Sequence, residues 1–341
     1  MKHSTEICVI IVNYNGLHLL AECLDSLREQ TFRDFEVILV DNASTDGSVS
    51  FVTENYPDVK VVENRENLGY GGGNNTGIEA SSAKYVVLLN NDTTVDARWL
   101  ERLYEAAEKD KTIGMCASKI LNYYDPEIID NTGLLIYRDG IARGRGRLEK
   151  DRGQYALEEE VFFPSGCAGL YRRKMLDEIG LFDEDFFLYV DDVDIGFRGR
   201  LAGWKCTYVP DAVVYHKYSA TVEPYSSLKA YLVERNRIWV VMKCFPLGLA
   251  LASLFYTMQR YIMQGYGIAT GKGAGSRLVR SDSGFSIVLI LLRAYLSAFR
   301  KFGNMVRKRK HILAMKKVSK REISSWFTRF GIDVRELALK D

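Results

Sequence analysis

The sequence predicts an α/β fold with an open, mainly parallel central sheet, followed by a basic helical region. Between residues 7 and 120, short apolar segments rich in β-branched residues alternate with segments of helical periodicity, as in parallel α/β sheets. Charge is also divided along the chain. Residues 229–341 hold 22 Lys/Arg and 6 Asp/Glu, a net charge of +16. Residues 1–228 hold 24 Lys/Arg and 38 Asp/Glu, a net charge of −14. We therefore expect an acidic body (residues 1–228) and a basic C-terminal region (residues 229–341).

Length and composition fit this division. The 341 residues suit one large domain with an appendage, and the 47% hydrophobic and 26% charged content is ordinary for a globular protein. The six cysteines include no CxxC pair, which argues against a zinc site and predicts a reducing compartment. The N-terminal segment has an acid ahead of a short apolar run, so it predicts a first strand rather than a signal peptide.

The elements of the sheet follow in order. The pattern predicts strands at residues 7–12, 35–40, 59–62, 85–89 and 114–120, with helices at 17–29, 44–55 and 97–108. Polar residues stand where three strands end: Asn13 and Asn15 after the first, Asp41 after the second and Asp92 after the fourth. Ligands of open α/β sheets bind at the carboxyl ends of the strands, so this edge is the expected site.

A Gly-rich run, NLGYGGGNNTG, occupies residues 67–77. It departs from GxGxxG and lies between the third and fourth strands, which disfavours a dinucleotide fingerprint. No GxxxxGK[ST] occurs, so a P-loop is excluded. We expect a loop whose backbone approaches a ligand before a helix at residues 74–80.

An acidic and aromatic stretch, GLFDEDFFLYVDDVDIGFRGRLAGW, spans residues 180–204. Asp191, Asp192 and Asp194 lie among aromatic residues, and no Lys or Arg precedes Arg198. Burial and mutual repulsion would raise at least one carboxyl pKa, which suits a general base. Taken alone, the stretch is more typical of an acidic loop that caps a helix at residues 195–202, where acids at the start favour the helix dipole.

The C-terminal region combines apolar segments at residues 245–268 and 286–292 with ten Lys/Arg between residues 300 and 321. This pattern predicts amphipathic helices on an anionic membrane surface. A helical cap on the body and a membrane span at 245–268 are the alternatives. No RNA-binding motif accompanies the charge, so nucleic acid is not an expected partner.

Four blocks together resemble family 2 glycosyltransferases, which are inverting enzymes with the GT-A fold, a Rossmann-like fold. They are IVNYNG at 11–16, VDNASTDGS at 40–48, NLGYGGGNNTG at 67–77 with LLNND at 88–92, and the stretch at 180–204. YVPDAVVYH at 208–216 completes the set. The subgroup is similar to the rhamnosyltransferase-like enzymes that build bacterial surface polysaccharides, and the QxxRW motif of processive synthases is missing.

The resemblance implies a role for each matching residue. Asp192 would be the catalytic base, with Asp191 beside it where the family usually has Glu. Asp92 and His216 would hold Mg²⁺ or Mn²⁺, although a DxD motif would offer a second carboxylate. Acceptor binding would use Asp194 and Trp204. The nucleotide-sugar donor would be bound by Asn13, Asn15, Asp41, Asn67, Gly69, Asn74 and Asn91.

The expected function is one-sugar transfer, with rhamnose as a candidate sugar, from a nucleotide-diphosphate donor to a lipid-linked saccharide. It would take place at the cytoplasmic face of the membrane, where the protein would bind peripherally. A homo-oligomer is compatible with the C-terminal region. Two other functions remain open from the sequence: a nucleotidyltransferase that makes activated sugars, and a non-catalytic, membrane-bound carbohydrate-binding protein.

Overall fold

The structure, a computed structural model, describes residues 5–217, 226–281 and 284–340. The chain forms two compact units. The first contains the described residues up to 134, then 144–199 and 204–217. The second contains residues 135–143, 200–203 and the described residues from 226 onward. The predicted division at residue 228 treats each part as one continuous stretch, whereas the second unit also takes in two short segments from earlier in the chain.

The first half of the chain alternates strands and helices as the sequence predicts. The elements are β1 Ile7–Asn13, α1 Leu17–Arg28, β2 Phe35–Asp41, α2 Ser48–Asn55, β3 Lys60–Glu63, α3 Gly69–Glu79, β4 Tyr85–Leu89, β5 Thr93–Val95, α4 Trp99–Lys109 and β6 Ile113–Asn122. Short strands and the acidic stretch follow: β7 Ile129–Asn131, β8 Leu134–Ile136, β9 Ala142–Gly144, β10 Glu159–Val161, β11 Ala168–Arg172, α5 Arg173–Ile179, α6 Asp191–Leu201 and β12 Lys205–His216.

The central sheet is mixed rather than mainly parallel. Its order is β10-β12-β6-β11-β4-β1-β2-β3, with β5 paired to β12 and β7 to β6. Strands β4, β1, β2 and β3 are parallel, as the alternation predicts. Strand β11 runs antiparallel to both β4 and β6. This strand follows an irregular segment rather than a crossover helix, so the alternation of strands and helices could not predict its direction.

The sheet register gathers the polar strand ends at one edge. Asn13 at the end of β1 pairs with Asp41 at the end of β2. On the other side, His216 at the end of β12 pairs with Thr93 of β5, which brings it beside Asp92. Two distant parts of the chain therefore meet where the sequence predicts a ligand site.

The Gly-rich run forms a helix instead of a loop. Helix α3 begins at Gly69, five residues before the predicted start. A Cβ on Gly73 would lie 2.7 Å from Val12, and one on Gly77 would lie 2.5 Å from Ile10. The glycines, which are poor helix formers, allow this helix to pack against β1 at a distance that no larger residue permits.

The acidic stretch also differs from its prediction. Helix α6 begins at Asp191 rather than at residue 195, so the three aspartates occupy its first turn. Backbone N–H groups in a first turn have no partner within the helix and are available to carboxylates. The acidic stretch can therefore both begin a helix and supply a catalytic carboxylate.

The second unit is helical. Its helices are α7 Ser227–Cys244, α8 Leu247–Thr270, α9 Gly273–Ser281, α10 Gly284–Arg300, α11 Phe302–Ala314, α12 Lys320–Arg329 and α13 Val334–Leu339. No helix in the described part of the chain is long and apolar enough to cross a membrane.

A buried charge network stabilises this unit. Arg260 of α8 contacts Asp139 at 2.6 Å and Glu234 at 2.7 Å, and Arg237 contacts Glu234 at 3.0 Å. All four side chains are buried. Burial raises the pKa of Glu234, but Arg260 and Arg237 outweigh it and lower the pKa to about 2. Glu234 therefore stays charged and depends on its two arginines.

Replacing Arg260 should test this dependence. Arg260→Leu leaves two buried carboxylates without their main cation, and we expect a loss of about 3–5 kcal/mol in the free energy of unfolding. Urea denaturation of the full chain measures it. Arg321→Leu, an exposed arginine of the same unit, should change stability by less than about 0.5 kcal/mol. Equal effects would show that the network contributes no more than a surface charge.

Candidate active site

An amide and carboxylate cluster occupies the ends of β1 and β2. The buried Asn13 side chain accepts a hydrogen bond from Asn91 Nδ2 at 2.8 Å. Its own Nδ2 donates to Asp41 Oδ1 at 3.4 Å and to Ser44 Oγ at 3.3 Å. Asp41 Oδ2 accepts from the backbone N–H of Ser44 at 2.8 Å. The structure thus brings together Asn13, Asp41 and Asn91, three of the residues predicted to bind the donor.

The other predicted donor residues shape two neighbouring turns. Asn15 has a positive φ of 50°, and its Oδ1 accepts from the backbone N–H of Thr45 at 2.8 Å. Asn67 Oδ1 accepts from the backbone N–H of Gly69 at 2.9 Å. Asn74 Nδ2 donates to the carbonyl of Tyr70 at 2.9 Å. The Asn15 contact orders the turn before α2, and the Asn67 and Asn74 contacts order the start of α3. Donor binding by these residues stays a prediction.

Gly69 links this region to the acidic stretch. Its φ is +73°, and a Cβ there would lie 2.1 Å from the Phe187 carbonyl oxygen. Asn42 Nδ2 donates to the Gly69 carbonyl at 3.0 Å. The backbone N–H of Tyr70 donates to the Phe187 carbonyl at 2.7 Å. A side chain at position 69 would separate the two segments, so glycine is required here.

Four charged side chains form a chain of contacts at the end of β12. His216 Nε2 lies 3.3 Å from Asp92 Oδ1, and His216 Nδ1 lies 2.7 Å from Asp130 Oδ2. Arg147 then donates to the other oxygen of Asp130 at 2.6 Å. The sequence did not predict Asp130 or Arg147, because Asp130 lies in the short strand β7, Arg147 lies in the turn after β9, and no motif marks either residue.

This chain of contacts fits a divalent cation. Asp92 Oδ1 is buried and has no hydrogen bond of acceptable geometry with another described residue. A carboxylate that accepts Nδ1–H from a histidine leaves Nε2 to bind a metal, and this is the usual arrangement of metal-bound histidines. No cluster of three or more Asp, Glu, His or Cys side chains with metal-site geometry occurs among the described residues. A metal would therefore need ligands from the substrate or water.

The protonation of His216 follows from its neighbours. Burial lowers the pKa of His216, but the neighbouring Cys167 sulfur, the hydrogen bond with Asp130 and the close contact with Asp92 raise it, and the net pKa lies well above the usual value. The imidazole is therefore a cation beside Asp92, and it would have to lose the Nε2 proton to bind a metal.

Asp192 is held by two backbone N–H groups. Its Oδ2 accepts from Gly166 at 3.0 Å and its Oδ1 from Val193 at 2.8 Å. Gly166 belongs to the small-residue segment before β11, which approaches the first turn of α6 without a side chain. A carboxylate held in this way keeps a fixed orientation and remains partly exposed to solvent.

Asp191 and Asp192 differ in their surroundings. Burial raises the pKa of Asp191 well above its usual value, and the charges of Asp192 and Asp194 add to the rise. One Asp191 oxygen has no hydrogen bond with any described residue. Burial also raises the pKa of Asp192, but its backbone hydrogen bonds oppose the rise. Of the two carboxyls, Asp191 thus favours the protonated form more strongly, and Asp192 ionises more readily.

Tyr70 supports Asp192 through the same peptide segment. Its hydroxyl donates to the Gly166 carbonyl at 2.6 Å. Burial raises the pKa of Tyr70 well above its usual value, and the nearby Tyr171 and aspartates add to this, so the hydroxyl stays protonated and keeps donating. Helix α3 therefore holds the loop whose backbone binds the Asp192 carboxylate.

The two predicted acceptor residues have other contacts. Asp194 is fully buried, and its Oδ2 accepts from Arg198 Nε at 2.9 Å. Arg198 also donates to carbonyls at residues 179–181, which fixes the loop before the acidic stretch. Trp204 is half-buried and donates to Glu178 at 3.0 Å. These contacts are structural, and acceptor binding by Asp194 and Trp204 stays a prediction.

Comparison with known proteins assigns this arrangement to a family. Residues 8–180 match the family described as Glycosyl transferase family 2. The chain belongs to this family. It is 30% identical over 267 residues to the N-acetylglucosaminyl-diphospho-decaprenol L-rhamnosyltransferase of Mycobacterium tuberculosis, covering 68% of this chain and 85% of that protein. The predicted resemblance is confirmed, and the protein is a glycosyltransferase.

Solved structures confirm the fold. A mannosyltransferase from Pyrobaculum calidifontis, in complex with GDP-Man and Mn²⁺, has a TM-score of 0.52 and 19% identity, covering 92% of this chain and 86% of that one. S. aureus TarS 1–349 in complex with UDP has a TM-score of 0.53 and 17% identity, covering 90% of this chain and 91% of that one. The α/β unit of this glycosyltransferase thus has a GT-A-like fold.

Removing the Tyr70 hydroxyl should shift the pH dependence of catalysis. Tyr70→Phe loses the hydrogen bond to the Gly166 carbonyl, which weakens the hold of the Gly166 N–H on Asp192 and raises the Asp192 pKa further. Because a base must be ionised, the acidic limb of the kcat/KM profile should move to higher pH, with a loss of about two- to tenfold at neutral pH. Tyr56→Phe, which loses a hydrogen bond to Asp25, should leave the profile in place. A lower rate with an unmoved acidic limb would contradict the coupling.

Proposed function

We propose that this glycosyltransferase transfers one sugar, with inversion, from a nucleoside diphosphate donor to a lipid-linked saccharide in the synthesis of a surface polysaccharide. The observation that carries the mechanism is the difference between Asp192 and Asp191. One carboxylate is oriented by two N–H groups and partly open to solvent, and its neighbour is buried with a pKa well above the usual value. Such a pair supplies a single base of raised pKa, as inversion requires.

In the proposed reaction, the acceptor hydroxyl oxygen attacks the anomeric carbon from the side opposite the diphosphate. The new C–O bond forms as the bond to the diphosphate oxygen breaks, and the hydroxyl proton moves to Asp192. The N–H groups of Gly166 and Val193 fix the carboxylate in the orientation that receives this proton. No covalent intermediate is needed, because inversion takes a single displacement.

The donor would lie along the edge formed by β1, β2 and β4. The cluster of Asn13, Asp41 and Asn91 offers both carboxylate and amide groups, which suit the base and ribose of a nucleotide. A divalent cation held by Asp92 and His216 would supply positive charge to the leaving diphosphate. Asp130 and Arg147 would hold His216 in the required orientation. Rhamnose is the first donor sugar to test, because the mycobacterial relative is an L-rhamnosyltransferase.

The second unit would hold the enzyme at the cytoplasmic surface of the membrane. Helix α8 exposes apolar side chains at helical spacing, namely Leu247, Leu251, Leu254, Met258 and Ile262. The basic residues of α11 and the following segment would add attraction to anionic lipids. A lipid-linked acceptor would be presented at that surface, as the acceptor of the mycobacterial relative is by name a decaprenol derivative.

Neutralising the proposed base should nearly abolish transfer. Asp192→Asn keeps the shape but cannot accept the proton, so turnover should fall about 10²–10⁴-fold. Asp191→Asn is the matched control, since an amide resembles the protonated carboxyl, and it should retain activity within about tenfold. The measurement is sugar transfer, with donor binding followed by calorimetry. Turnover of the Asp192 variant within threefold of wild type would reject the assignment.

The affinity of the proposed cation site should depend on the Asp92 carboxylate. Asp92→Asn should raise the Mn²⁺ concentration for half-maximal activity about 10–100-fold, because the site has few protein ligands. Mn²⁺ binding followed by electron paramagnetic resonance provides a readout apart from activity. Asp96→Asn, at an exposed acid nearby in sequence, should change neither the Mn²⁺ concentration for half-maximal activity nor Mn²⁺ binding. Full activity of the wild type in excess EDTA would refute a metal-dependent mechanism.

Membrane binding should depend on the exposed face of α8. The double variant Leu254→Asp, Met258→Asp should bind phosphatidylglycerol vesicles at least about tenfold more weakly in a sedimentation assay, because both changes remove apolar burial. Added salt should weaken wild-type binding. Leu157→Asp, at an exposed leucine of the first unit, is the control. If wild-type protein does not bind these vesicles at low salt, an anionic membrane surface is refuted as a partner.

A further inference from the structure

A groove between α7 and α10 lies in the second unit, apart from the residues of the candidate active site. Its volume is about 510 Å³, which is within the range of small-molecule sites, roughly 300–1,000 Å³. The lining residues are Ser227, Leu228, Tyr231, Ile290, Arg293, Leu296, Ser297 and Arg300. The lining therefore combines apolar side chains, hydroxyl groups and two arginines, and it includes no acid.

The two arginines are placed to bind one ligand together. Arg293 and Arg300 are seven residues apart on α10, which puts them on the same face of the helix, separated by about 10.5 Å along its axis. Ser297 lies between them on that face. Both arginines are exposed, and neither has a hydrogen bond or ion pair with another residue that the structure describes. Their charge is thus available to an anion.

The surrounding charge favours an anion with more than one negative charge. Between residues 235 and 321 the sequence contains a single acid, Asp282. Glu234 of α7 is already bound to Arg237 and Arg260. Arginine binds phosphate oxygens through two parallel hydrogen bonds, which makes it well suited to phosphate groups. Two such arginines match a diphosphate diester, which has two negative charges, better than the single charge of a phospholipid diester.

The apolar part of the groove indicates the rest of the ligand. α10 exposes several apolar side chains, namely Val288, Leu289, Leu292 and Phe299. The groove itself is lined by Leu228, Ile290 and Leu296. A free diphosphate would gain nothing from these side chains, whereas a hydrocarbon chain attached to a diphosphate would bury them. The groove thus offers cations for a diphosphate and an apolar wall for a lipid chain.

We propose that this groove binds the diphosphate and the first part of the hydrocarbon chain of a polyprenyl-type lipid diphosphate. This inference rests on the proposed function, because such a lipid would be the carrier of the acceptor saccharide. It assigns recognition of the carrier lipid to residues of the second unit. A variant of the groove should then lose affinity for the lipid-linked acceptor while its chemical step remains intact.

Calorimetry with the full chain tests the site directly. The probe is farnesyl-diphospho-N-acetylglucosamine, a short-chain diester. The variant Arg293→Gln, Arg300→Gln should bind it about a hundredfold more weakly, because two charge-assisted contacts are lost. Arg321→Gln, Arg335→Gln removes the same charge from exposed positions of the same unit and should change affinity less than about threefold. Equal affinities of the groove variant and wild type would overturn the proposal.

Two competitors separate the alternatives. If inorganic diphosphate displaces the probe as effectively as unlabelled probe does, the apolar wall contributes nothing and a lipid ligand is refuted. If phosphatidylglycerol vesicles bind with the same dependence on Arg293 and Arg300, and the lipid diphosphate has no advantage, the site recognises bulk phospholipid and the proposal fails. Displacement by a farnesyl diphosphate diester alone supports it.

Kinetics distinguish failure of this inference from failure of the proposed function. With the lipid-linked probe as acceptor, the groove variant should raise KM with little change in kcat, because the contact is equally strong before and during reaction. With a soluble glycoside that lacks diphosphate, the variant and wild type should be equally active. Wild-type protein that transfers sugar to neither acceptor would refute the proposed function, whereas an unchanged KM for the lipid-linked acceptor would refute the groove alone.

Discussion

Burial removes water from carboxylates in both units of this glycosyltransferase, and each unit compensates the lost hydration in a different way. In the second unit, Arg237 and Arg260 neutralise Glu234, which stays ionised at any ordinary pH. In the first unit, burial and the charges of Asp192 and Asp194 raise the pKa of Asp191 and so favour its protonated form. Asp192 receives two backbone N–H groups, which compensate it only in part. A carboxylate stabilised in part is what a base needs, since full neutralisation would abolish its affinity for a proton.

The mixed sheet is the second constraint on the site. The parallel strands β1, β2 and β4 place Asn13, Asp41 and Asn91 at one edge. Strand β12 reaches that edge by a different route, parallel to β6 and antiparallel to β5, and it brings His216 to Asp92. A purely parallel sheet could bring Asn13, Asp41 and Asn91 together, but it would lack the β5–β12 pairing that places this histidine.

Local sequence determined much of the first unit. Periodicity predicted five of the ten strands of the central sheet and the helices between them, because buried β-branched segments and amphipathic helices have patterns that do not depend on distant residues. The polar residues at strand ends and the acidic stretch were recognised in the same way. The motifs around Asn13, Asp92 and Asp192 then indicated the glycosyltransferase family, which the comparisons confirm.

Tertiary contacts decided what local patterns could not. Asp130 meets His216 from 86 residues away, and Tyr70 reaches Gly166 from 96 residues away. The sequence also could not separate Asp191 from Asp192, because their pKa values differ through burial and through an N–H group donated by a distant loop. The Gly-rich run became a helix because β1 lies against it, although its composition is typical of a loop. Residue types and short periodicities can be read from neighbouring residues in the sequence. Burial, strand direction and the partners of charged groups exist only once the chain has folded.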